Sequence, residues 1–204
     1  MNAIVSRELP LISGRKQRHA GPRLIAYESR ASNLICEFCL CLFYNPTMDQ
    51  QSEQTLVQLI RSTRVAALGT LHEGEPSLAM VAYAFARDFS AFYIHVSRLG
   101  KHTADMGSDP HVSLLITEVD DRRADPQTLA RLSIRGMAEM LPRNAPDCAQ
   151  VRGIYLERFP ESEPLFSLGD FNLWRIRPGA GRFVAGFGRA FNVVPEALKK
   201  VSSL

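Results

Sequence analysis

Apolar positions in this chain recur at two spacings. Within 54–62, Leu56, Leu59 and Ile60 lie at helical spacing and predict an amphipathic helix. The segment 64–71 (RVAALGTL) is rich in small and branched residues and predicts a strand. His72-Glu73-Gly74-Glu75 reads as a hairpin turn, with Gly74 able to supply a positive φ. Pro76 opens a second strand over 77–85, Arg87-Asp88 turn the chain, and 91–96 is a third strand. Three strands joined by short turns imply an antiparallel sheet, because parallel pairs need long crossovers. A short helix is expected over 101–106, with Gly107 stopping it and Asp109-Pro110 sealing the stop. A fourth strand follows over 111–118, then a charged loop at 120–125. In 132–140 the apolar Leu132, Ile134, Ala138 and Met140 alternate with Ser133, Arg135 and Glu139, which predicts a half-buried fifth strand. Val151, Ile154 and Tyr155 mark a helix over 147–158, ended by Pro160. The last strands are 171–177 and 182–184, with Pro178-Gly179 as the turn between them. The sum is a mainly β chain with short helices, and closure into an antiparallel barrel would remove its sheet edges.

Residues 1–47 follow neither period. They carry six basic and three acidic residues, which accounts for the whole net charge of +3, and residues 48–204 are neutral overall. The division is therefore an N-terminal extension, 1–47, and one domain, 48–204. The extension reads as poorly ordered or non-native, with Met48 as the working start. An Arg-rich transit peptide and a structured arm are the other readings. Its apolar run 34–43 is interrupted by Glu37 and is too short to span a bilayer. It also starts too late for a secretory leader, so the chain reads as cytoplasmic, without a membrane partner. Cys36, Cys39 and Cys41 lie in this segment, but a zinc site needs a second pair of ligands, so packed thiols are the preferred reading. A charge of +3 is too small to argue for nucleic acid. There is no Gly-x-Gly-x-x-Gly after a strand, no P-loop and no Gly-x-Ser-x-Gly elbow. The five histidines show no metal-ligand spacing with one another or with a cysteine.

One segment does carry chemistry. The strand 91–96 runs into Ser97-Arg98-Leu99-Gly100-Lys101-His102-Thr103 and then into a helix. A hydroxyl, two cations and free backbone N–H groups at a helix start make a sound phosphate pocket. Arg98 could bind a phosphate bidentately and Lys101 could add a point charge. The bland alternative is a capped helix with solvated cations.

Taken with their neighbours, these residues resemble a known group. The segments RVAALGTLHEGEPSLAMVAYAF (64–85), FYIHVSRLGKHTADM (92–106) and DPHVSLLI (109–116) resemble the FMN-binding split β-barrels of the pyridoxamine 5′-phosphate oxidase group. WRIRPGAGRFVAGFGRAF (174–191) is similar, more narrowly, to its HugZ branch, the haem-utilisation proteins. The resemblance covers about 54–191 and implies an antiparallel split barrel that binds FMN at a homodimer interface. It implies that the FMN phosphate meets Ser97, Arg98 and Lys101, with His102 or Thr103 nearby. It implies that main-chain groups around Ala79, Met80, Val81, Ala82 and Tyr83 read the flavin edge, with Ala79 and Ala82 small enough for close approach. Gly186, Phe187, Gly188 and Arg189 would approach from the partner subunit, and Trp174 is read as core.

The departures carry equal weight. The oxidase's Arg and Lys in the second strand have no counterpart in Leu78 to Tyr83. The closing Arg-x-His-x-Arg that holds pyridoxal is absent from 188–192, so vitamin B6 oxidation is not expected. No histidine follows His111, so the C-terminal iron ligand of haem-degrading relatives is missing too. The expectation is a flavin-binding oxidoreductase acting on an unknown small molecule. A HugZ-type haem-binding or haem-degrading protein, using another axial ligand or none, is the alternative, and a non-catalytic dimeric barrel is a third.

Overall fold

The computed structural model describes residues 47–204. The expectation for 1–47 lies outside the described residues, except for its last position. The chain runs α1 (Gln50–Ser62), β1 (Val65–His72), β2 (Glu75–Ala82), β3 (Ala84–Phe85), β4 (Phe92–Ser97), α2 (Lys101–Ser108) and β5 (His111–Thr117). A 3₁₀ turn (Pro126–Thr128) leads to β6 (Arg131–Leu141), α3 (Cys148–Arg158) and a second 3₁₀ segment (Pro160–Ser167). β7 (Phe171–Val184), β8 (Ala190–Val193) and α4 (Pro195–Val201) complete it. All pairings are antiparallel, in the order β2-β1-β5-β6-β7-β4-β3, with β8 added to β7. The strands curl into a split barrel.

Alternation decides which face is inside. In β1, Ala66, Leu68 and Thr70 point inward while Val65, Ala67 and Gly69 point out. Leu114, Ile116, Leu132, Ile134, Ile94 and Phe183 fill the interior, each no more than 2% exposed. Leu56 and Ile60 of α1 and Leu198 of α4 join this core. Asp49 caps α1 by accepting from the Ser52 N–H at 2.8 Å. α3 covers the other face at one end, where Val151, Tyr155 and Phe159 pack on Tyr93, Leu141 and Leu173.

The structure corrects the expected elements in four places. The second strand does not run through 77–85: β2 stops at Ala82, and Tyr83 turns into the core with its phenol donating to the Ile60 carbonyl at 2.9 Å. Pro178-Gly179 is no turn, since β7 is continuous over fourteen residues. The register shifts here by a bulge in β7, where Gly179 and Ala180 stand against Arg135 alone, and Gly136 leaves room beside it: a Cβ would stand 2.7 Å from the Arg177 carbonyl. A bulge is one of the few sheet positions that accepts a residue without an N–H. Gly107 lies inside α2, which ends only at Ser108 before Asp109 and Pro110. β8, α4 and the second 3₁₀ segment belong to stretches for which no element was expected.

Candidate functional site

The turn after β4 brings Ser97, Arg98, Lys101 and His102 together, as expected. Its donors are differently engaged. Ser97 Oγ donates to Asp170 Oδ2 at 2.5 Å and accepts from the Leu99 N–H. The Arg98 N–H donates to the Asp170 carbonyl, the Gly100 N–H to the Ser97 carbonyl and the Thr103 N–H to the Gly100 carbonyl. Of the backbone donors expected to be free, those of Lys101 and His102 remain. The Arg98 and Lys101 side chains have no hydrogen-bond or ion-pair partner among the described residues. So the turn offers two cations to an anion, but a carboxylate holds the hydroxyl between them and the strand. His102 folds back over Gly100, where a Cβ would come 2.7 Å from the ring. Burial lowers its pKa, against the opposing charge of Asp105. Asp105 accepts from Thr70 Oγ1 at 2.8 Å and meets His72 Nδ1 at 2.7 Å, tying α2 to β1.

The second group, Ala79 to Tyr83, is split. β2 is a sheet edge, so its outer main-chain groups are unpaired by any strand among the described residues. Met80 is 73% exposed, whereas Val81 and Tyr83 are buried. Met80, Ala67 and Leu115 stand side by side across β2, β1 and β5, and Leu78, Val65 and Met137 extend an apolar outer face.

The third group sits in the β7–β8 hairpin. Gly186 and Gly188 take φ of 135° and 72°, which this tight corner demands, and Phe187 is exposed at its tip. Arg189 donates to both Asp49 oxygens at 2.8 and 2.9 Å and to Ser52 Oγ at 2.7 Å, so it clamps the hairpin to the start of α1. Ser97 pairs with Phe171 and Ala190 with Val184, at opposite ends of β7. Thirteen residue steps (171 to 184) are roughly 40 Å of strand. The two groups therefore lie at opposite ends of β7.

A fourth feature went unread in the sequence. A cavity of about 550 Å³ lies between the sheet, α3 and the second 3₁₀ segment, lined by His95, Leu141, Arg143, Cys148, Arg152 and Phe166 among others. His95 is 8% exposed, and its ring stacks on Phe166 with centroids 3.8 Å apart. Neither ring nitrogen has a hydrogen-bond partner among the described residues, and Nδ1 is sealed off. Burial, then the charges of Arg143 and Arg152, push its pKa down to about 4. Arg143 donates to the Leu168 and Phe171 carbonyls, and Arg152 pairs with Glu163 at 2.5 Å. The one trace of this in the sequence is a histidine inside an otherwise apolar strand, FYIHV. Trp174 is core, as read.

With this geometry in place, the comparisons decide the family: the model of the pyridoxamine 5′-phosphate oxidase family matches residues 52–185. The chain belongs to this family. The heme oxygenase HutZ of Vibrio cholerae is 29% identical over 163 residues, which are 74% of this chain and 91% of that protein. The chloroplastic non-canonical heme oxygenase HOZ of Arabidopsis thaliana is 36% identical over 120 residues, 59% of this chain but only 35% of that protein. The solved heme binding protein from Mycobacterium smegmatis superposes with a TM-score of 0.66 at 26% identity, over 76% of this chain and 62% of that one. The split barrel and the HugZ-branch likeness both stand on these matches. Among the described residues no helix is long and apolar enough to cross a membrane.

Proposed function

We propose that this chain is a haem-binding member of the family, of the haem-degrading type, and works as a homodimer. The observation that carries the reading is the match to HutZ along 91% of that protein's length. The geometry supports it in two ways. The turn expected to hold the FMN phosphate has spent its hydroxyl and most of its N–H groups on Asp170 and on itself. The apolar face of Leu78, Met80 and Leu115 is the kind of surface a second copy covers, in an isologous contact. Haem, when bound, supplies the iron and its oxygen chemistry. The chain's own residues supply apolar walls for the ring and arginines for its carboxylates. Titrating the purified protein with hemin tests this: a saturable Soret band with one hemin per protomer is expected. The absence of such a band sinks the proposal.

A second reading, the flavin-binding oxidoreductase, is favoured by Arg98 and Lys101, which stand without a side-chain partner among the described residues at the start of α2. A protein that purifies yellow, or that quenches FMN fluorescence and ignores hemin, would establish it instead. A barrel that binds neither would be the non-catalytic interaction protein.

A further inference from the structure

We propose that the cavity under α3 binds a small organic acid, one carboxylate on an apolar body. It lies apart from the residues expected to hold FMN: none of Ser97, Arg98, Lys101 or His102, and no residue of β2, lines it. Its volume of about 550 Å³ is that of a small-molecule pocket, and its walls of Leu141, Phe166, Phe171 and Leu173 are apolar. Among the described residues, three charged side chains line it, Arg143, Arg152 and Glu163, so two cations against one carboxylate leave one positive charge. Both cations are held in place. Nη2 of Arg143 donates to the Leu168 and Phe171 carbonyls, while its Nε and Nη1 have no partner among the described residues. Arg152 donates to Glu163 at 2.5 Å and lies over the Phe166 ring, 5.0 Å from its centroid. Cations already ordered by their neighbours lose little freedom on meeting an anion. Both act on the buried His95 ring and lower its pKa, so both lie toward that end of the cavity, and His95 itself is a neutral wall behind Phe166. A monoanion with an apolar body answers both the charge and the walls. A phosphate would bring more charge than is balanced and more oxygens than apolar walls can bond.

Gly153 is an independent sign. Cys148, Ala149, Arg152, Gly153 and Leu156 line the cavity from one face of α3, at helical spacing. Glycine inside a helix weakens it relative to alanine. Packing does not demand glycine here, because a Cβ at 153 would meet nothing within 4 Å. The missing side chain leaves the cavity open beside Arg152.

The test is calorimetric titration of the purified full chain with octanoate, 1-octanol and octylamine, which share a tail and differ in charge. Octanoate is expected to bind saturably at one per protomer and at least tenfold more tightly than octanol, and octylamine is expected not to bind. Gly153→Leu gains helix propensity and fills the cavity, so it should keep the native circular dichroism and weaken octanoate at least tenfold. Arg152→Gln removes one of the two cations at an exposed position and should also weaken octanoate at least tenfold, with little change for octanol. Should Arg152→Gln fail to fold, Gly153→Leu decides alone. The proposal falls if native protein does not bind octanoate, if octanol binds as tightly, or if either folded variant keeps the native affinity. Loss of hemin binding together with octanoate in Gly153→Leu would make the cavity the seat of haem and equally overturn it.

Discussion

Buried and without hydrogen-bond partners, His95 should make the apoprotein acid-sensitive well above the carboxylate range. In the unfolded chain its pKa is about 6.5, and in the folded protein burial and two arginines hold it near 4. Above pH 6.5 both states are neutral, so His95 adds no pH dependence. Between the two values the unfolded state binds a proton that the folded state refuses, so stability falls as pH falls. At 1.36 kcal/mol per unit, the loss is about 2 kcal/mol at pH 5 and ~3 kcal/mol at pH 4. His102, whose pKa is also lowered by burial, acts in the same direction. Carboxylates whose pKa is depressed, such as Asp88 through its bonds to Ser90, stabilise the fold above their unfolded value and lose that contribution only at lower pH. Both contributions are common to a His95→Gln variant, which cannot titrate at that position. The assay is urea unfolding of both proteins at pH 7.5, 6 and 5, reading the free energy at each. The native-minus-variant difference should shrink by about 2 kcal/mol from pH 7.5 to 5. Parallel pH profiles would refute the reasoning, because they would mean that the His95 ring is protonated freely in the folded state.

Three further outcomes test the remaining features. Met80→Asp puts a charge on the apolar outer face and should turn a dimer into monomers by sedimentation while circular dichroism keeps the native fold; an unchanged dimer would place the interface elsewhere. Asp105→Ala leaves the Thr70 hydroxyl, 4% exposed, without its acceptor and should cost about 1–3 kcal/mol in urea unfolding; a loss under half a kilocalorie would show the network to be idle. Under the flavin reading, Arg98→Ala should weaken FMN roughly 10- to 150-fold and leave riboflavin unchanged, since only FMN carries the phosphate. Equal losses would make Arg98 structural, and no loss for either would remove it from any anion site.

Much of the barrel was readable from local rules. Strand period, glycine and proline punctuation and short turns placed β1, β4, β5 and β6 within a few residues, because a half-buried strand must alternate whatever lies beside it. The same rules misplaced β7, where Pro178-Gly179 looks like a turn and is instead part of a bulge within β7 itself, two of its residues standing against one of β6. Local rules also brought Ser97, Arg98 and Lys101 into one turn, but could not say that Asp170, 73 residues away, occupies the hydroxyl. Nor could they show His95 as more than one histidine among five. Its cavity is assembled by β4, the end of β6, α3, the second 3₁₀ segment and the start of β7, and no one of them carries the pattern alone. Hydrophobic periodicity records which side of an element faces the core. Which polar group ends beside which, and which is left buried without a partner, depends on distant segments meeting in space, and only the tertiary structure decides that.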